Sequence, residues 1–126
     1  MALFPASGGS GSGTLLPVTY PTTSLPSATQ TIIATANASV GHTYLVVASC
    51  SFTSHSSNTN IIEQIKLGSD VKSITRAINV SGSGAAMCVS AIIEVTSSTS
   101  TSIDFYAYDT SATTVSNVNM QVYQLS

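Results

Sequence analysis

Two histidines and two cysteines are the side chains of this chain most able to bind a metal ion or attack a substrate. His42 and His55 flank a strand-like stretch that contains Cys50, and Cys88 lies in a second such stretch. These residues do not have the short Cys and His spacings of zinc sites, and no nucleophile motif surrounds them. We therefore expect no catalytic residue, no metal site, no cofactor, and histidines exposed in loops.

Cys50 and Cys88 leave two alternatives open. Both have apolar neighbours, which favours buried thiols that pack as small apolar side chains. They could also pair with each other in a disulfide, because two cysteines in one small domain allow a single bridge.

Carboxylates and tyrosines cluster around one short segment, Ser102–Asp109. Asp104 and Asp109 bracket its aromatic residues and Glu94 precedes it, but the aspartates lack the dense spacing of a calcium loop. Tyr106 and Tyr108 share one face of a strand, where flat rings with a polar hydroxyl suit contacts with protein or carbohydrate. We expect them to pack between subunits, with saccharide contact as the alternative.

The composition limits the partners of this chain. Its 126 residues include 40 Ser and Thr but only three basic residues, Lys66, Lys72 and Arg76, and the net charge is −2. Binding of nucleic acid needs a basic patch, which is missing. No apolar stretch is long enough to span a membrane. A surface with few charges costs little to desolvate, so we expect a protein that assembles with copies of itself.

Alternating apolar and polar residues predict seven strands separated by turn formers. The clearest is Gly41–Thr53, in which Tyr44, Val46, Ala48, Cys50 and Phe52 share one face. The others are 29–36, 61–67, 70–80, 85–96, 102–109 and 115–125, with polar loops at 54–60 and 81–84. Strands at this spacing predict an all-β antiparallel sandwich of seven to eight strands, jelly-roll-like, over residues 29–126.

The first 28 residues predict an anchor and an extended arm. Leu3, Phe4 and Pro5 form a short apolar tag, which a Gly/Ser run separates from the rest of the chain. Such a run is flexible. Prolines at positions 17, 21 and 26 exclude a helix and a central strand over residues 14–28. We expect the tag to dock into another protein while the arm lies along a surface.

Four segments, GHTYLVVASCSF, SGAAMCVSAIIEV, STSIDFYAYD and VNMQVYQLS, resemble strands of the C1q/TNF-like jelly rolls. In particular, they resemble the β-sandwich heads of bacteriophage fibre, receptor-binding and head-decoration proteins. The resemblance covers residues 41–126. It implies a homotrimer on the surface of a virion. The chain lacks a long shaft, which points to a head fibre, a decoration protein or a fibre tip.

The sequence thus predicts a non-enzymatic structural protein of a phage surface, attached to other virion proteins by its N-terminal arm and contacting the host surface, such as a glycan. The alternative is a secreted carbohydrate-binding or adhesin module. Leu45 and Val47 are apolar on the second face of their strand, where a lone sandwich needs none. The residues expected to contact a neighbouring subunit or a receptor are Leu45, Val47, Tyr106, Tyr108 and Tyr123.

Overall fold

The chain folds into eight strands in a computed structural model that describes residues 13–53, 55–82 and 85–126. In these ranges the side chains of residues 55–58 and 78–82 are also left undescribed. The strands are β1 (Ser24–Leu25), β2 (Thr31–Asn37), β3 (Thr43–Phe52), β4 (His55–Leu67), β5 (Asp70–Gly82), β6 (Ala85–Glu94), β7 (Ser102–Asp109) and β8 (Thr113–Gln124). The described residues contain no helix that could cross a membrane.

The strands form two four-stranded sheets in which every pairing is antiparallel. Sheet I has the order β1-β8-β3-β6 and sheet II has the order β2-β7-β4-β5. Apart from the β4–β5 hairpin, each connection crosses from one sheet to the other. This is the strand order of an eight-stranded jelly roll, so the predicted all-β sandwich is confirmed.

The core lies between the sheets and uses the alternation seen in the sequence. All five residues of the stripe from Tyr44 to Phe52 are buried. On β7, Ile103, Phe105 and Ala107 are completely buried, as their spacing predicts. Because side chains alternate between the two faces of a strand, each sheet contributes one apolar face and leaves the other outside.

The arm lies along the edges of both sheets. Gly13 donates its N–H to Gln124 (2.6 Å) and Leu16 donates to Val122 (2.9 Å), both on β8. Thr19 exchanges two backbone hydrogen bonds with Thr35 of β2. At the end of the arm, Leu25 is only 2% exposed and belongs to the core. The segment is therefore held by main-chain bonds and by one buried side chain.

The hairpin between β4 and β5 is longer than its sequence predicts. Its tight turn at Gly68 is confirmed, since Leu67 pairs with Asp70 and Gly68 has a φ of 60°. The loop predicted at 54–60 is wrong from His55 onward, because β4 begins at His55, which pairs with Gly82; residue 54 lies outside the described residues. Pairing with β5 thus overrides the turn preference of Ser and Asn in this segment. The predicted loop at 81–84 is also wrong at 81–82, which belong to β5.

Candidate interaction surface

The two cysteines face opposite sides of sheet I. Cys50 pairs with Met87 and points into the core, whereas Cys88 pairs with Ser49 on the outer face. Cys88 is exposed and both thiols are free. The disulfide alternative is therefore wrong. The expectation of a buried Cys88 is wrong as well, because its neighbours on β6, Met87 and Val89, face the core and Cys88 must point to the other side.

The two histidines lie beyond opposite ends of β3. His42 precedes β3 and is half-buried rather than exposed. Its Nδ1 lies 2.7 Å from the backbone oxygen of Ser126 and 3.1 Å from Nε2 of Gln124, so it donates to the first or accepts from the second according to its tautomer. His55 starts a strand instead of lying in a loop, and its side chain is outside the described residues.

The carboxylates near β7 point in different directions. Asp104 lies on the outer face of sheet II, where its Oδ1 accepts from Thr35 Oγ1 (2.5 Å) and Ser102 Oγ (2.8 Å). Asp109 is completely buried, while Glu94 is exposed on sheet I. Within the described part of the chain, no three His, Cys, Asp or Glu side chains are placed to share a metal ion.

Cys50 meets a buried carboxyl that the sequence analysis did not single out. Its Sγ donates to Glu63 Oε2 at 3.0 Å, and Glu63 is 0% exposed. Burial, followed by the charge of Glu63, raises the pKa of the Cys50 thiol. Cys50 is therefore a protonated, enclosed thiol, which is the opposite of what a nucleophile requires. The sequence could have identified Glu63, because alternation along the strand places it on the inward face between Ile61 and Ile65.

The outer face of sheet I carries a row of apolar side chains that crosses four neighbouring segments. Tyr123 pairs with Leu15 of the arm on one side and with Leu45 on the other, and Leu45 pairs with Ile92. Val47 lies two residues after Leu45 on β3 and therefore points to the same face. Directly paired residues point to the same face. We call Leu15, Tyr123, Leu45, Ile92 and Val47 the sheet I row.

The sheet I row is largely open to solvent. Ile92 is 70% exposed, Leu15 51% and Val47 40%, while Leu45 and Tyr123 are half-buried. The predicted contact residues Leu45, Val47 and Tyr123 thus lie together. The sequence analysis missed Ile92 and Leu15. Ile92 could have been found, because it follows and precedes the inward positions of its strand, where Ile93 is buried.

Tyr106 and Tyr108 lie on the opposite side of the molecule, on the outer face of sheet II. Both are half-buried. Lys66 Nζ lies 4.2 Å from the centroid of the Tyr106 ring and donates to Gln30 Oε1 at 2.9 Å. Burial, then the Asp104 carboxylate, raises the pKa of Tyr106. One face of that ring is already taken by a cation–π contact within the chain.

Gln64 adds a further polar group to the outer face of sheet II, beside Tyr106. Gln64 pairs with Tyr106 on one side and with Ile74 on the other. It is 8% exposed, and its Oε1 accepts no hydrogen bond from the described residues. The five predicted contact residues therefore divide between two opposite surfaces. The surface on sheet I is mainly apolar, whereas the one on sheet II combines tyrosines with charged and polar side chains.

Pockets and relatives give no further guidance. The described residues enclose no cleft that would take a small ligand. No family model, curated protein or solved structure matches this chain. What the protein does must therefore be argued from its fold, its surfaces and its sequence pattern.

Proposed function

We propose that this protein is a structural component of a bacteriophage surface, a head-fibre or decoration protein or a fibre tip, whose head assembles as a homotrimer and contacts the host surface. The observation that carries the proposal is the sheet I row. An isolated domain gains nothing by exposing Ile92, Leu15 and Val47 side by side, and a contiguous exposed apolar patch marks an interaction site.

The charges around this row support contact with other copies of the chain. Glu94 is the charged residue on the outer face of β6, and the three basic residues lie on β4 and β5 of the other sheet. Packing the sheet I row against a neighbouring copy of the chain buries few ionic groups. The desolvation penalty that makes buried charges costly is thus nearly absent.

The fold supports the proposal at a coarser level. Jelly rolls with two four-stranded sheets are common in viral capsid and lectin domains. Because one fold hosts many functions, this is support by analogy. The resemblance of the strands from Gly41 onward to phage heads points the same way.

The N-terminus provides the proposed attachment to other virion proteins. The tag Leu3, Phe4 and Pro5 lies outside the described residues. The described chain starts at Gly13, which is bonded to Gln124 at one end of sheet I. A Gly/Ser linker of this length has a reach of roughly 15–20 Å, so a tag bound to a neighbouring protein can hold the head without fixing its orientation.

We expect the double substitution Leu3→Ser and Phe4→Ser to reduce incorporation of the head into particles. Losing two buried apolar side chains costs about 3 kcal/mol of binding, or roughly 100-fold in affinity. The measurement is the number of head copies per purified particle, and a variant with Ser7→Ala and Ser10→Ala is the control. Equal incorporation of all three proteins would show that the tag is not the anchor.

We expect Val47→Asp combined with Ile92→Asp to convert the trimer into monomers. Removing about 3 kcal/mol of apolar burial and adding two charges weakens association by at least roughly 100-fold. Light scattering at micromolar concentration measures the mass. Ile74→Asp is the matched control, because Ile74 is 39% exposed on sheet II and Val47 is 40% exposed on sheet I. Alkylation of Cys88 gives a second readout, since its outer-face thiol should be protected only in the trimer.

Each result of this experiment has a clear meaning. A monomeric wild-type protein at micromolar concentration contradicts the trimer. A trimer that survives the double substitution but not Ile74→Asp moves the interface to sheet II.

A secreted carbohydrate-binding module is the second candidate, and one observation favours it. Tyr108 is half-buried on the outer face of sheet II, where a flat ring with a polar hydroxyl can contact a sugar. Lys66 on the face of Tyr106 counts against stacking of a sugar on that ring. Loss of glycan binding in Tyr108→Ala, with the oligomeric state unchanged, would favour this second function.

A further inference from the structure

Glu63 is a carboxyl group enclosed between two apolar sheet faces. It is 0% exposed and sits on β4 between Ile61 and Ile65, which are also fully buried. Its Oε2 accepts from the thiol of Cys50 on β3, across the gap between the sheets. Its Oε1 has no hydrogen-bond partner among the described residues. A carboxylate normally accepts several hydrogen bonds, so this site serves the charged form poorly.

The strand geometry explains why Cys50 is the group that meets Glu63. In the pairing of β3 with β8, Ser49 lies opposite Asn119 and Ser51 lies opposite Ser116. Cys50 therefore falls at a bulge and has no partner residue on β8. The extra residue of this bulge is on β8, whereas β3 keeps its register with β6, so Cys50 stays on the inward face with Ala48 and Phe52.

No described cationic side chain faces Glu63, because Lys72 and Arg76 on β5 are exposed and Lys66 lies over the Tyr106 ring on the outer face. Besides Cys50, the titratable group that faces the core near it is Asp109 on β7, which pairs with Ile61. Asp109 is another carboxyl, and its Oδ1 accepts from the N–H of Ser111 at 2.8 Å. Directly beside Glu63 lie Ala107 on β7 and Thr75 on β5.

The same holds for the other strands that line the core. The inward side chains of β6 near Cys50 are Met87 and Val89, and neither can ionise. The described polar or charged residues that are buried are Thr59, Glu63, Gln64, Asp104 and Asp109, and none of them is a cation. An ionised Glu63 would thus be a buried charge whose hydrogen-bond donors, among the described residues, come from Cys50 alone.

We propose that Glu63 is a pH-sensitive switch inside the sandwich: it bridges the sheets as a neutral acid, and its ionisation as the pH rises weakens the contact between sheet I and sheet II. This goes beyond the proposed assembly function and does not depend on it. The neutral acid leaves at most one donor, its own O–H, without an acceptor. The ionised form places an uncompensated charge in the core.

The direction of the effect follows from the pKa values. Burial raises the pKa of Glu63 from 4.5 to about 7, and the hydrogen bonds from the side chain and backbone of Cys50 offset only part of this rise. A folded-state pKa above the unfolded value means that the folded protein holds the proton more tightly. Glu63 therefore contributes its full stabilisation below pH 4.5, and this is lost as the pH rises to about 7. The two pKa values correspond to a rise of roughly 300-fold in the unfolding equilibrium constant.

The test compares the intact wild-type chain with Glu63→Gln and Glu94→Gln in urea unfolding between pH 4 and pH 8, at one protein concentration. We expect the unfolding constant of wild type to rise roughly 300-fold more over this range than that of Glu63→Gln. Glu94→Gln removes an exposed carboxyl and should follow wild type. Equal pH dependence of wild type and Glu63→Gln would overturn the proposal.

A second measurement applies to the wild-type chain alone, and so does not require that Glu63→Gln folds. Carboxyl carbon NMR follows the protonation of Glu63 directly. We expect its signal to titrate near pH 7, well above the ordinary glutamate pKa of 4.5. A midpoint for Glu63 near 4.5 would show that the buried site does not retain its proton and would exclude the switch.

Discussion

Phe105→Ala is expected to lower the free energy of unfolding by about 3–5 kcal/mol. Phe105 lies on β7, at the centre of sheet II, and is 0% exposed. It pairs with Ile65 on one side and with Ala34 on the other, both fully buried. Truncation removes a large ring from a site whose neighbours belong to two other strands. They cannot collapse into the space without shifting the sheet, so most of the cavity remains.

Urea unfolding measures this loss, and Ile74→Ala is its control on the same sheet. Ile74 is 39% exposed on the outer face, and we expect its truncation to cost about 1 kcal/mol or less. Both variants should keep the wild-type dependence on urea, because they leave the exposed area on unfolding nearly unchanged. Similar losses for Phe105→Ala and Ile74→Ala would mean that the two faces of β7 and its neighbours are wrongly assigned.

The inward faces could be predicted because they follow from a local rule. Alternation along a strand fixes which residues share a side. One apolar set on each of β3, β7 and β8 leaves little choice about which side is the core. The buried positions of Tyr44 and Phe105 follow from this rule. The same rule predicts that Glu63 faces the core, since Ile61 and Ile65 flank it at alternate residues.

The strand order could not be predicted from these local rules. Whether two strands share a sheet depends on connections that cross the sandwich. For this reason the sequence did not show that Tyr123 and Tyr106, both expected to make contacts, lie on opposite faces of the molecule. It also did not show that Leu15 of the arm and Ile92 of β6 complete the same row as Leu45.

The ends of the strands were the least predictable part of the fold. Ser and Asn in the segment that starts at His55 favour turns on their own, yet β5 is long enough to pair with them as far as Gly82. In the arm, the prolines were correctly taken to exclude a central strand. Their spacing gave no sign that Leu25, between two of them, would enter the core.

Leu25→Ala is expected to lower the free energy of unfolding by about 2–5 kcal/mol. Leu25 is 2% exposed and lies on β1, which pairs with Thr113 and Thr114 of β8. Leu16 and Val18 of the arm are only partly buried against the core, so Leu25 is the most deeply buried apolar side chain of the arm. Its loss should weaken the main-chain bonds of the arm as well. Hydrogen exchange of the Leu16 and Thr19 amides, which donate to Val122 and Thr35, would accelerate in the variant.

Leu15→Ala provides the matched control, with the same residue type in the same arm. Leu15 is 51% exposed, so its truncation should change stability by about 0.5 kcal/mol or less. It should nevertheless weaken self-association, because Leu15 belongs to the sheet I row. The two leucines thus separate the two roles of the arm: Leu25 stabilises the head, and Leu15 contributes to the surface that contacts a neighbour.

The loss of stability in Leu25→Ala decides where the head domain begins. If this loss were as small as that in Leu15→Ala, the head would begin at residue 29, as its sequence predicts, and the arm would not be part of its folding unit. A large loss would make residue 25 part of the folding unit and would move that boundary towards the N-terminus.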